Sequence, residues 1–221
     1  MKAILCGFAI AAVLFSVPAS ADVAYTNGPL NGTIGAWDIT DYQVADSFTL
    51  GSAETLTSVT FGAWTPSADS FATVTSVDWY IVSDLSTCPV TCTTGLYDGL
   101  GGVSQTLGFK TAQYNINSET FALPDVALGP GTFWLVLGNG NDNYSAPVFW
   151  DENDGPSEAA DSDVAGGYIT SPDSCATGGS TGYCSESFTI TNSSSVPEPG
   201  TVAPGGFGLL LLGALRRRRN R

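Results

Sequence analysis

The sequence predicts an all-β protein: a single antiparallel β-sandwich or jelly-roll-like domain, with an N-terminal signal peptide and one short C-terminal transmembrane helix. Three observations predict the β-body. Thr, Ser, Val, Gly and aromatic residues dominate the middle of the chain, the composition of strands and turns. Several segments alternate apolar and polar residues with period two, so each strand has one buried and one wet face. Turn signals recur between them, at a density that suits two packed sheets. A hydrophobic content of 43% with 11% aromatics is enough to bury a core, which argues against disorder.

Nine strands are expected. Val44–Leu50 comes first, and its phase places Asp46 with Val44, Phe48 and Leu50. A carboxylate on that face wants a hydrogen-bond donor, a cation or an edge position with solvent access. In Leu56–Trp64, Val59, Phe61 and Ala63 alternate with Thr60 and Gly62. In Val74–Val82, Val77, Trp79 and Ile81 alternate with Ser76, Asp78 and Tyr80. Val103–Phe109 and Phe121–Val126 follow. Phe133–Leu137 is continuously apolar after Gly129-Pro130-Gly131, as a central strand after a tight turn would be. Val148–Trp150 and Tyr168–Thr170 come next, and Phe188–Thr191 closes the body by alternating against Ser187, Thr189 and Thr191.

The two ends read as addresses. Lys2, an apolar stretch from Ala3 to Val17, Pro18 and the small-x-small site Ala19-Ser20-Ala21 before Asp22 form a secretory signal peptide. At the other end Val196-Pro197-Glu198-Pro199 precedes an apolar stretch, Thr201 to Leu215, and then Arg216-Arg217-Arg218-Arg219. Those fifteen residues reach about 22 Å as a helix, short of a ~30 Å hydrocarbon core, so the span is marginal on its own. The arginines stay cytoplasmic by the positive-inside rule, and the body faces outward, as the signal peptide also requires. The expected organisation is residues 1–21 signal peptide, 22–191 ectodomain, 192–195 polar linker and 196–221 C-terminal signal.

This tripartite end resembles the PEP-CTERM sorting signal of Gram-negative bacteria. The likeness lies in Pro197-Glu198-Pro199, the short membrane segment and the terminal basic cluster, about the last 26 residues of the chain. Pro204 and Gly205-Gly206 inside the apolar segment depart from a strong helix. The resemblance implies passage through the export machinery, removal of the leader by signal peptidase, and transient insertion in the inner membrane through the C-terminal helix. Exosortase would then cut near the motif and deliver the body to the cell surface or extracellular matrix. The alternative is a plain single-pass anchor that is never cut. Val44–Leu50, Leu56–Phe61, Gly129 to Leu137 and Glu186 to Ile190 also look like the sandwich ectodomains commonly joined to such tails.

All 21 acids lie between Asp22 and Glu198, where Lys110 is the only base, so the body is close to −20. That charge repels phosphate backbones and excludes nucleic acid as a partner. The chain has no histidine, which removes the commonest general base and metal ligand. Four cysteines remain after leader removal, and the expected pairing is Cys88–Cys92 and Cys175–Cys184, each stapling a short loop.

No cofactor is required by any motif. Calcium has candidate ligands in Asp151, Asn153 and Asp154, in an acidic Gly-bearing run that lacks the EF-hand pattern. Among the five tryptophans, Trp64 lies out of phase with Val59, Phe61 and Ala63, which makes it the candidate for stacking on a sugar. Extracellular polysaccharide is thus a candidate partner. The expected function is that of an exported, non-enzymatic surface or matrix protein. The alternatives are a carbohydrate- or calcium-binding module and a glycoside-active enzyme working through a carboxylate pair.

Overall fold

A computed structural model describes residues 21–193, apart from 34, 67–71, 89–90, 158, 164–166 and 170–184. Residues 1–20 and 194–221 lie outside it. So do Ala19, the sorting motif Val196 to Pro199, the cluster Arg216 to Arg219, and Cys175 with Cys184.

Among the described residues the regular elements are strands, with one 3₁₀ turn at Leu85–Thr87. In chain order the strands are β1 (Asp22–Thr26), β2 (Ala36–Asp38), β3 (Val44–Leu50), β4 (Glu54–Pro66) and β5 (Val74–Val82). Next come β6 (Tyr97–Gly102), β7 (Ser104–Lys110), β8 (Tyr114–Leu128), β9 (Gly131–Asp142) and β10 (Phe149–Asn153). The last are β11 (Ala159–Asp163), β12 (Gly167–Ile169), β13 (Ser185–Glu186) and β14 (Phe188–Asn192). All pairings between them are antiparallel.

The smaller sheet runs β12-β11-β3-β9-β5-β6. In the larger sheet β4 is central. It pairs with β8 on one side, which carries β7, and with β14 and β10 on the other; β14 carries β1, and β10 carries β2 and β13. The sheets meet through the faces that alternation predicts. Val59 and Phe61 of β4 and Phe188 and Ile190 of β14 join Phe48 of β3, Val77 and Trp79 of β5 and Leu135 of β9 in one apolar cluster. Aromatic rings bridge the layers: Trp79 stacks on Phe121 of β8 at 6.2 Å, and Tyr25 of β1 lies 5.9 Å from Phe48. The close approach of β6 to this core needs glycine, because a Cβ on Gly101 would fall 2.8 Å from the Phe121 ring.

A second, smaller apolar cluster covers the outside of the smaller sheet. Ala45, Val82, Val136 and Ala160 pack there with Cys88 and Cys92, which form a disulfide and are each 2% exposed. Gln43 clamps the segment through both amide atoms, Nε2 to Cys92 O at 2.9 Å and Oε1 to Cys92 N at 2.5 Å. The Cys88–Cys92 bridge closes a short loop, as expected, and its sulfurs are also part of a satellite core.

The outward face of the larger sheet carries hydroxyls. Thr26, Thr189, Thr60, Thr120 and Ser104 form one row in register across β1, β14, β4, β8 and β7. Two residues further along, Gly62, Ser118 and Thr106 continue the pattern from β4 to β7, and Ser187 O accepts from Gly62 N at 3.1 Å. In the other direction Thr191 of β14 faces Ser58 of β4. No charged residue stands in these rows. Asn192, expected in the polar linker, is the last residue of β14 and donates to Glu54 at 2.6 Å. Ser193 N also donates to Thr55 O at 2.9 Å, so the body ends one or two residues later than its apolar pattern.

Candidate functional site

The site is assembled by a short strap, residues 27–33, that leaves β1 and crosses the outside of the larger sheet. Gly28 and Gly32 give it its shape, with φ of +95° and +62°. The Leu30 side chain reaches over Gly62 of β4, where a Cβ would collide with it, and lies close to Gly108 of β7, where a Cβ would come within 3.2 Å of it.

Strand β10 fastens the strap. Asp151 accepts from Asn31 N at 3.0 Å, Gly32 N at 2.9 Å and the Trp64 indole at 2.6 Å. Two residues on, Asn153 Nδ2 donates to Asn27 O at 2.8 Å, and its Oδ1 accepts from Gly155 N at 2.9 Å. Asp154 is exposed. The three residues considered for calcium therefore do not present oxygens to a common point: two hold backbone and the third faces solvent. No group of three or more Cys, His, Asp or Glu among the described residues could hold a metal ion.

Trp64 does point outward, as its phase requires. It is half-buried, with its ring 5.2 Å from that of Tyr114, which in turn meets Phe149 edge-on at 5.9 Å. Trp79 is in the core at 2% exposure.

The strap begins at Asn27, which is wholly buried and ties the two sheets together. Its Nδ2 donates to Asp46 Oδ2 at 2.9 Å and Glu186 O at 2.7 Å, and also meets Ser185 Oγ. Glu186 N donates to the same Asp46 oxygen at 2.5 Å. Asp46 is thus fully buried rather than at a solvent-exposed strand edge, and the N–H donors of Asn27 and Glu186 answer its Oδ2. Burial still pushes its carboxyl up to about 7.

Sequence reasoning missed three other interior carboxyls. Glu152 and Glu186 stand opposite each other on β10 and β13, both wholly buried. Glu152 accepts from the Trp37 indole, yet burial holds its carboxyl above the usual range and Asp151 adds to this. Glu119 of β8 faces the core opposite Phe61, and neither of its oxygens has a hydrogen-bond partner. Burial pushes it to about 8. Its alternation with Phe121 is the signal that could have found it, because period two places both on the inner face.

A cleft of about 170 Å³ opens between the strap and the sheet, with Pro29 and Leu30 as wall and Thr60, Ser118, Ser187 and Thr189 on its floor. Comparisons with protein-family models, curated proteins and solved structures find no match, so the chemistry of these residues carries the functional reading.

Proposed function

We propose that this chain is an exported, non-enzymatic surface or extracellular-matrix protein of a Gram-negative bacterium, sorted and cut by exosortase at its C-terminal signal. The observation that carries the reading is the ordered run at the chain end: Val196-Pro197-Glu198-Pro199, the apolar stretch to Leu215, and the four arginines. Body geometry supports it. The first strand starts at Asp22, the residue after the expected leader cut, and Asp22 pairs with Asn192 at the end of the last strand. Both address segments therefore leave the body from one antiparallel pair, and either can be removed without cutting a strand. The Cys88–Cys92 disulfide suits an oxidising compartment.

The jelly-roll-like sandwich, the membrane-inserted precursor and the export route belong to the same proposal. A second reading, a carbohydrate-binding surface module, is favoured by the outward aromatic set of Trp64, Tyr114 and Phe149.

Substitution of the motif tests the main reading. In cells, a Pro197→Ala, Glu198→Ala chain should stay at full C-terminal length in the membrane fraction, while the parent appears at the surface in shortened form. Equal surface delivery of both, at equal size, overturns sorting at this motif.

A further inference from the structure

We propose that the cleft between the strap and the hydroxyl rows binds one residue of a neutral polysaccharide. This rests on the carbohydrate-binding reading but places the ligand apart from Trp64. The floor is the first argument. Thr60, Ser118, Ser187 and Thr189 contribute hydroxyls, each both donor and acceptor, which is the complement a sugar hydroxyl needs.

The floor is also preset. Thr60 and Thr120 hydroxyls bond each other at 2.8 Å, and Thr26 bonds Thr189 at 3.1 Å, so little side-chain freedom remains to be lost on binding. The second argument is a polar atom answered only by a shared acceptor. Ser187 is 2% exposed and lines the cleft, and its Oγ meets the Asp151 carboxylate, which Asn31, Gly32 and Trp64 also share, and no other partner among the described residues. A buried hydroxyl with one crowded acceptor gains from a ligand group or water that meets it.

Size and charge narrow the ligand. About 170 Å³ is well under the ~300 Å³ of a cleft that encloses a drug-sized molecule, and it suits a single small polar ring. Pro29 and Leu30 offer an apolar wall for the C–H side of such a ring. The rows carry no cation to pair with a uronate or sulfate, and a body of 21 acids against one base repels both. The sugar is therefore uncharged.

Isothermal titration of the full-length chain in detergent tests this. The probes are β-1,4-linked and α-1,4-linked glucose hexasaccharides, β-1,4-linked xylohexaose, and hexagalacturonate as the anionic control. At least one neutral probe should bind, at least tenfold more tightly than hexagalacturonate. Thr60→Val with Ser118→Ala should weaken that binding fivefold or more, and Tyr114→Ala, which takes the outward aromatic set apart without touching the Trp64–Asp151 bond of the strap, should leave it within twofold. Should thermal melting find the double variant unfolded, Ser118→Ala alone decides, with a threefold loss as its threshold. Smaller losses, or an equal or better hexagalacturonate complex, overturn the proposal. Binding that survives the floor variants but fails in Tyr114→Ala overturns this site and keeps the carbohydrate-binding reading. Absence of binding to every neutral probe overturns both.

Discussion

Glu119 illustrates how one inward polar side chain shapes behaviour. Its carboxyl faces the core beside Phe61 and Phe121 with no partner for either oxygen, so it keeps its proton up to about pH 8. Ionising it there means placing a bare charge in an apolar layer. Glu119→Gln removes that requirement. The variant should be more stable than the parent by about 2 kcal/mol at pH 9 and within about 0.5 kcal/mol of it at pH 5, read by urea unfolding at both values. A parent that is the more stable at pH 9 would show that the carboxylate is answered after all. Gly62 makes the complementary case. A methyl group there would run into Ser187 Oγ, Leu30 and the Asp151 Cβ, so Gly62→Ala should cost about 1–3 kcal/mol by displacing the strap from the sheet.

At the scale of elements, the strap and the disulfide segment each cover one outer face, and each depends on few contacts. Asp151→Asn leaves a weaker acceptor for Asn31 N, Gly32 N and the Trp64 indole. It should lower stability by about 1–3 kcal/mol and open residues 27–33 to limited proteolysis at protease levels that spare the parent. An unchanged digestion pattern would remove Asp151 as the clamp. Replacing Cys88 and Cys92 by Ser should cost about 2 kcal/mol, because the closed loop is short. A cost beyond that would come from the satellite core that the sulfurs help to build. Alternation made strands legible wherever one face is apolar and the other wet: β3 and β5 match Val44–Leu50 and Val74–Val82 end to end. It failed where that contrast is lost. The first half of β8 carries Asn115, Asn117 and Glu119 on its buried face, so the expected strand began only at Phe121. β6 is Tyr97-Asp98-Gly99-Leu100-Gly101-Gly102, with glycines where rings of Trp79 and Phe121 press close and Leu100 70% exposed. β10 runs on through Asp151-Glu152-Asn153, which read as a polar loop because the strap that buries its outer face lies more than a hundred residues away in sequence. The outward placement of Trp64 was legible from its phase, whereas the cleft beside the strap was not, since it depends on two positive-φ glycines and on which strands become neighbours.

For the molecule as a whole, the decisive feature is an acidic body with a single base. Several of its acids are interior, and those at Asp46 and Glu119 hold protons up to about 7 and about 8. Their unfolded counterparts release protons near 3.8 and 4.5, so between these limits the folded state binds more protons than the unfolded one. Stability from these groups is therefore complete below about pH 4 and is lost as pH rises towards 8, the reverse of ordinary acid denaturation. Repulsion among the remaining carboxylates acts in the same direction. The melting temperature should fall steadily from pH 5 to pH 9 at constant ionic strength, and a rise over that range would contradict the assignment. Asp22 and Asn192 are paired neighbours, so trimming at both ends, as the proposed sorting requires, would leave every strand of the body intact. Intact mass of the protein recovered from the cell surface tests that most directly. The account predicts a chain that starts at Asp22, ends within residues 196–200 and carries its four remaining cysteines as two disulfides. A surface species that still ends at Arg221 would contradict it.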